Sequence, residues 1–248
     1  MGTWVVIEAV AENEPKALGG IEAAFAAVLA VERCMHPTRV GSDVQRINAA
    51  HPGTPVAIHS STWRVLELAR RVHALSDGVF DPCLPTHPGR FEDLELCMPS
   101  AQHSPWVIGH APLALDLGGI AKGYAIDCAV DALINTGCDA GLVNAGGDLR
   151  RFGGQRATIL LRHAGNTYEP MAVGNIALAV SDLDAPQRPP EHRGYYIRAD
   201  TIGQGNRRYA AVQAAEAAIA DALTKCALLC SREAAARVLR GLGGREAA

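Results

Sequence analysis

The chain of 248 residues predicts an α+β fold. Segments with strand character and segments with helix character follow one another without strict alternation, which argues against a doubly wound parallel sheet. Hydrophobic residues make up 48% and charged residues 20%, the composition of a globular chain with a sizeable core.

Thr3 to Val10 is rich in β-formers and reads as a strand. Glu14 to Met35 follows as a helix, with Leu18, Ile21, Phe25, Val28 and Leu29 at helical spacing. His36-Pro37 ends it, because a residue before proline avoids the helical region. Ser60 to Leu75 is a second amphipathic helix, with Ser60 or Ser61 as its N-cap. Ser76 to Ser104 carries many turn signals and reads as an irregular crossing segment. Ala111 to Leu117 is a short strand, followed by Gly118-Gly119 and a helix to about Ile134. Gly141 to Ala145 is a strand ending in Gly146-Gly147, and Ala157 to Leu161 and Ala172 to Val180 are two more. Ser181 to Arg193 is rich in proline and charge and reads as a flexible loop. Gly194 to Asp200 and Arg208 to Val212 are strands, and Ala214 to Cys230 and Arg232 to Leu239 are helices. The tail from Gly241 is expected to fray.

Lys plus Arg number 23 and Asp plus Glu 26, giving a formal net charge of −3. With no basic stripe and only 5% aromatic residues, nucleic acid is not an expected partner. No apolar run is long enough to span a bilayer, and Met1 to Val10 lacks the layout of a signal peptide. The expectation for the chain as given is a soluble, cytoplasmic protein, with export open if an N-terminal signal has been removed. Seven cysteines, an odd number and mostly in apolar surroundings, predict reduced buried thiols. Without a Cys-x-x-Cys pair, zinc is not expected.

The densest chemical signal is LDLGGIAKGYAID, Leu115 to Asp127. A short strand carrying Asp116 meets two glycines and opens a helix with Lys122 in its first turn. Free N–H groups at a helix start favour an anion, and glycine allows close approach. The order is neither a P-loop nor a dinucleotide fingerprint, and a plain structural connector has the same look. The second signal is LVNAGGDLR, Leu142 to Arg150, a strand ending in another glycine pair before Asp148. Its plain reading is a hairpin whose Asn and Asp bond local backbone. Third is the turn from Ser76 to Pro82, where Phe80 reads as core and Asp81 as a turn cap. Fourth is Ala220 to Thr224, which places Asp221 in an apolar helix. A buried carboxylate is costly unless paired, so Asp221 either pairs with Lys225 or another cation or binds a hard metal. The nine histidines form no catalytic pattern, and no nucleophile elbow occurs.

In collinear order, these motifs resemble the ApbE family of FAD:protein FMN transferases. The resemblance runs from Met1-Gly2-Thr3 through Gly41 to Asn48, Asp77 to Pro82, Leu115 to Asp127 and Val143 to Arg150 to the helix at Ala220 to Thr224. It implies one domain over residues 1–248, with mixed and antiparallel sheets flanked by helices in a T-fold-like arrangement. It also implies a magnesium-dependent transferase that takes FAD as substrate, moves FMN onto a Thr or Ser hydroxyl of an acceptor protein, and releases AMP. By motif position, Met1, Val79, Phe80, Asp81, Asp116, Lys122 and Ile197 would line the flavin nucleotide. Gly119, Asp221 and Thr224 would hold magnesium, and Asp221 and Lys122 would be the catalytic pair.

Three departures accompany the resemblance. Lys225 stands where the family usually has Thr, four residues after the metal Asp, and Thr224 is one position early. The family's His-x-x-Asp-Pro segment is here Tyr195 to Gly203, with Tyr in place of His and the Asp-Pro pair broken. The segment expected to read Thr-Ser-Gly is Val180-Ser181-Asp182. The alternative that follows is a flavin-nucleotide binding protein of the same shape with weakened or lost transfer.

Overall fold

In the first helix, a side-chain cap and a proline mark the ends the sequence promised. The computed structural model describes residues 2–97, 104–163, 166–167, 170–183 and 207–247. Strand β1 (Val5–Val10) leads into α1 (Glu14–Met35), where the Asn13 side chain accepts from the Lys16 N–H at 3.0 Å. Then come α2 (Asp43–Ala49), β2 (Pro55–Ala57), α3 (Ser60–Leu75), β3 (Leu94–Cys97) and β4 (Trp106–Gly109). Helix α4 (Ala121–Asn135) precedes β5 (Ala140–Ala145), β6 (Asp148–Phe152), β7 (Ala157–Ile159), β8 (Arg162–His163), β9 (Asn166–Thr167) and β10 (Met171–Val173). Strands β11 (Ala177–Asp182) and β12 (Tyr209–Ala214), helices α5 (Ala217–Leu229) and α6 (Arg232–Gly241), and β13 (Arg245–Glu246) complete the order.

The main sheet has the order β1-β5-β6-β11-β12-β13, and every pairing in it is antiparallel. A second antiparallel sheet has the order β2-β4-β3. The fold is thus α+β with antiparallel sheets. One core packs Ala24, Val28, Ile126, Leu133, Val143 and Ala217 between the main sheet and α1, α4 and α5. A larger one joins α2, α3, α5 and α6 to the small sheet through Val44, Leu66, Val107, Leu117, Leu223 and Val238. Among the described residues, no helix is long and apolar enough to cross a membrane.

Several details depart from the sequence reading. Helix α1 buries Gly20, Ala24, Val28, Val31 and Met35, whereas Leu18, Phe25 and Leu29 point outward. The cause is close packing: a Cβ at Gly20 would stand 2.6 Å from Cys138 Sγ, so small residues form the contact. The N-cap of α3 is His59, whose ring accepts from the Ser61 N–H, rather than a serine. The strand expected at Ala111 to Leu117 is reduced to a bridge between Cys83 and Leu115. The tail does not fray, because β13 pairs with β12 and Arg207 reaches Glu246 at 2.7 Å. The expected strand at Gly194 to Asp200, with Ile197, lies outside the described residues, as does Met1.

Candidate functional site

The turn from Ser76 to Cys83 is built by side chains that replace missing backbone bonds. Ser76 Oγ donates to the His73 carbonyl and accepts from the Phe80 N–H, and His73 Nδ1 lies 2.8 Å from the Phe80 carbonyl. Asp77 and Gly78 both adopt positive φ, 52° and 77°, which turns the chain back sharply. Phe80 is thereby pressed into the core, with Val79 half-buried beside it. Asp81 caps the next turn by accepting from the Cys83 N–H at 2.8 Å.

Asp81 and Asp116 sit on adjoining segments, since the Asp116 N–H donates to the Pro82 carbonyl and Cys83 bridges Leu115. Asn48 holds that second segment from behind. Its side chain donates to the Leu115 carbonyl at 2.9 Å and accepts from the Leu115 N–H at 2.7 Å. Asp116 is buried and accepts from the Gly118 N–H at 2.7 Å.

The start of α4 follows. Neither Gly118 nor Gly119 has positive φ, so these glycines serve close approach rather than backbone strain. The N–H groups of Ile120 and Ala121 donate to the Leu117 carbonyl, and that of Gly123 donates to Asp221 Oδ2 at 3.1 Å. Among the described residues, the N–H groups of Gly119 and Lys122 have no acceptor. Two donors at a helix start therefore remain available to an anion.

Helix α5 supplies the opposing wall. Its start is capped from α4: Asp127 accepts from the N–H groups of Ala217 and Ala218, both at 2.8 Å, and is itself held by Arg150. This cap explains why α5 begins at Ala217 and not at Ala214. One turn further, Asp221 is fully buried, with its Oδ1 paired to the Lys225 ammonium. Lys225 also donates to the Asp221 carbonyl at 2.9 Å, and Thr224 Oγ1 donates to the same carbonyl at 2.7 Å. Thr224 also bonds the Ser181 hydroxyl at 2.7 Å, which ties α5 to β11. The Lys225 stem runs beside Gly119, where a Cβ would stand 3.6 Å from Lys225 Cε and 3.6 Å from the Phe80 ring.

Lys122 completes a quartet by pairing with Asp148, which is buried and also accepts from the Val180 N–H at 2.9 Å. Asp148 follows a two-residue hairpin in which Gly146 and Gly147 have φ of 63° and 101°, the signature of a type I′ turn. Asn144 accepts from the Gly147 N–H at 3.0 Å, as the plain hairpin reading had it, but Asp148 reaches into the site instead of capping the turn. Burial works against the Lys122 ammonium, yet Asp148 and Asp221 outweigh it and hold its pKa above the ordinary value. Burial pushes Asp148 upward despite Lys122. For Asp221 burial acts in the same sense, but Lys225 and then Lys122 overcome it and hold the carboxyl below its ordinary range.

The structure therefore brings Phe80, Gly119, Lys122, Asp221 and Thr224 together, with Val79 beside Phe80 and Asp81 and Asp116 on the neighbouring segments. Asn48, Asp127 and Ser181 are site-building residues to which the sequence reading gave no role, and Asp148 is one that it read as a turn residue. As arranged, this donor set does not fit a magnesium ion. Each oxygen of Asp221 already has a protein donor, the Thr224 hydroxyl is spent on Asp221 and Ser181, and two ammonium groups balance two carboxylates. A hard divalent cation needs several oxygen ligands with uncompensated negative charge.

The ApbE family model matches residues 1–87 and 90–248. A search among curated proteins finds no match. Among solved structures, the ApbE protein of Thermotoga maritima is similar with a TM-score of 0.77 and 21% identity, covering 99% of this chain and 90% of that one. The flavin transferase ApbE of Vibrio cholerae gives 0.73 and 19%, covering 99% and 93%. The apo flavinyl transferase ApbE of Pseudomonas stutzeri gives 0.72 and 17%, covering 96% and 88%. At these identities the structures speak for a shared fold, and the sequence match over nearly the whole length goes further: the chain belongs to the ApbE family.

Proposed function

We propose that this protein binds FAD and transfers its FMN half to a Thr or Ser hydroxyl of an acceptor protein, releasing AMP. The observation that carries the reading is the convergence, beside Phe80, of two unclaimed backbone donors and two lysines. In the reaction, the acceptor oxygen forms a bond to the FMN phosphorus. The bond from that phosphorus to the bridging oxygen breaks, the oxygen leaves with AMP, and the hydroxyl proton passes to the buffer. Charge grows on the bridging oxygen, so preorganised N–H donors and ammonium groups are what the step requires. The Gly119 and Lys122 N–H groups and the Lys122 ammonium serve the diphosphate. Val79 and Phe80 lie toward the flavin, Asp81 and Asp116 toward nucleotide hydroxyl and N–H groups, and Met1 and Ile197 are assigned there by motif alone.

The partners of this reading are FAD and an acceptor protein. Incubating the protein with FAD and a threonine-bearing acceptor peptide, with and without magnesium, and weighing the products gives the answer. The expected products are AMP and a peptide heavier by one FMN less water. Lys122→Met is expected to slow AMP release by about 100-fold or more, as for loss of one preorganised charged group at a transition state. FAD that binds but never yields AMP with any acceptor would favour the second reading, a flavin-nucleotide binding protein, which the engagement of Asp221 by Lys225 supports.

A further inference from the structure

We infer that the Lys225 ammonium is the resident cation of this site, taking the place a divalent ion was expected to fill, so that the chain holds the diphosphate of FAD without metal. The inference rests on the flavin reading and deepens it. Lys225 lies on the buried face of α5, paired to Asp221 Oδ1 and bonded to the Asp221 carbonyl. Its stem passes Gly119, whose N–H is one of the two unclaimed donors. The side chain thus lies against both the carboxylate expected to ligate magnesium and the backbone expected to meet the diphosphate. A lysine in this position supplies one positive charge where the ion would have stood. It also fills the coordination sites a second cation would need, and like charges at that distance repel. The pairing of Lys122 with Asp148 keeps the other ammonium in the same cluster, so its two carboxylates are balanced with no ion added.

The test is calorimetric titration of FAD into wild-type protein, first in excess chelator and then in millimolar magnesium. Titration of manganese, followed by its paramagnetic resonance signal, gives a readout that is independent of flavin. Wild type is expected to bind FAD with the same Kd in both buffers, within about twofold, and to take up no manganese at tens of micromolar. Lys225→Thr is expected to bind FAD about tenfold or more weakly in chelator, to recover in magnesium, and to gain a manganese site. FAD binding by wild type only when magnesium is present would overturn the inference while leaving the flavin reading intact. Lys225→Thr binding FAD in chelator as tightly as wild type would do the same. No FAD binding by wild type in either buffer overturns both. Should Lys225→Thr fail to fold by circular dichroism, the wild-type titrations alone decide.

Discussion

The Asp221 carboxylate accepts a hydrogen bond at 3.1 Å from the backbone N–H of Gly123, a residue 98 positions earlier in the chain. The helices carrying them are so close that a Cβ on Gly123 would stand 2.2 Å from the Ala217 carbonyl oxygen. Gly123→Ala must push α4 and α5 apart, because the atom it meets is backbone. A cost of about 3 kcal/mol is expected, toward the upper end for overpacking. That corresponds to a fall in Tm of about 6–12 °C for a chain of this size. Thermal unfolding by circular dichroism measures it. A Tm within about 2 °C of wild type would show that the helices yield easily.

Asn48 replaces a missing strand neighbour for Leu115, giving and taking one hydrogen bond with the same residue. Asn48→Ala removes both bonds from a buried segment, and an expected cost of about 2 kcal/mol follows from the unsatisfied backbone groups. Because Asp116 is the next residue, FAD affinity should fall as well. Urea unfolding and FAD titration read the two effects separately. An unchanged urea midpoint would mean that water or a neighbour replaces the amide.

What could be read from the sequence, and what could not, divides by the range of the interaction. Helix α1 was legible to the residue from its periodicity and from His36-Pro37, which acts locally, while its Asn13 cap emerged only in the structure. Its buried face was misread, because close packing on Cys138 selects Gly20 and Ala24 over the larger residues that periodicity follows. Asp221 stood out as a charge in an apolar helix, and Lys225 as its neighbour one turn on, so their pairing was within reach of the sequence. Asp148 looked like a turn residue, and nothing local marks its partnership with Lys122. The same holds for Asn48 and Leu115, which lie 67 residues apart. A polar residue with no local partner in an otherwise apolar stretch is the one signal that pointed to such contacts. Asp127, with its cap on α5, was the missed instance.

Gly119 is a glycine whose backbone does not demand glycine. It has no positive φ, and a Cβ there meets Phe80 and Lys225 only at ordinary contact distance. Gly119→Ala should therefore fold with a Tm equal to or slightly above wild type, since alanine restricts the unfolded chain by about 0.4–1 kcal/mol. The added methyl would crowd the approach to the Gly119 and Lys122 N–H groups. FAD affinity should drop about tenfold, an effect of about 1.4 kcal/mol. Calorimetry checks this, and an unchanged Kd would place the diphosphate away from the start of α4.

The Lys122 and Asp148 pair allows the electrostatics to be tested without ligand. Asp148 is buried, while the Lys122 side chain is 26% exposed. Lys122→Met strands the carboxylate, and about 2–3 kcal/mol is expected, below the range for fully buried pairs because water reaches the lysine. Asp148→Asn keeps an acceptor for the Val180 N–H and lets Lys122 turn outward, so about 1 kcal/mol is expected. The double variant should lose less than the sum, with a coupling of about 1–2 kcal/mol. The pH dependence fixes the sign. Burial already raises the Asp148 pKa, and removing Lys122 takes away a charge that opposes the rise. A carboxyl whose folded pKa exceeds its unfolded value binds more protons when folded, so stability falls as pH rises between the two values. The deficit of Lys122→Met should therefore shrink on acidification through that window and stay constant above it. Urea midpoints for the four proteins across that range measure the trend, and a deficit that grows as pH falls would show that Lys122 does not sustain the Asp148 charge.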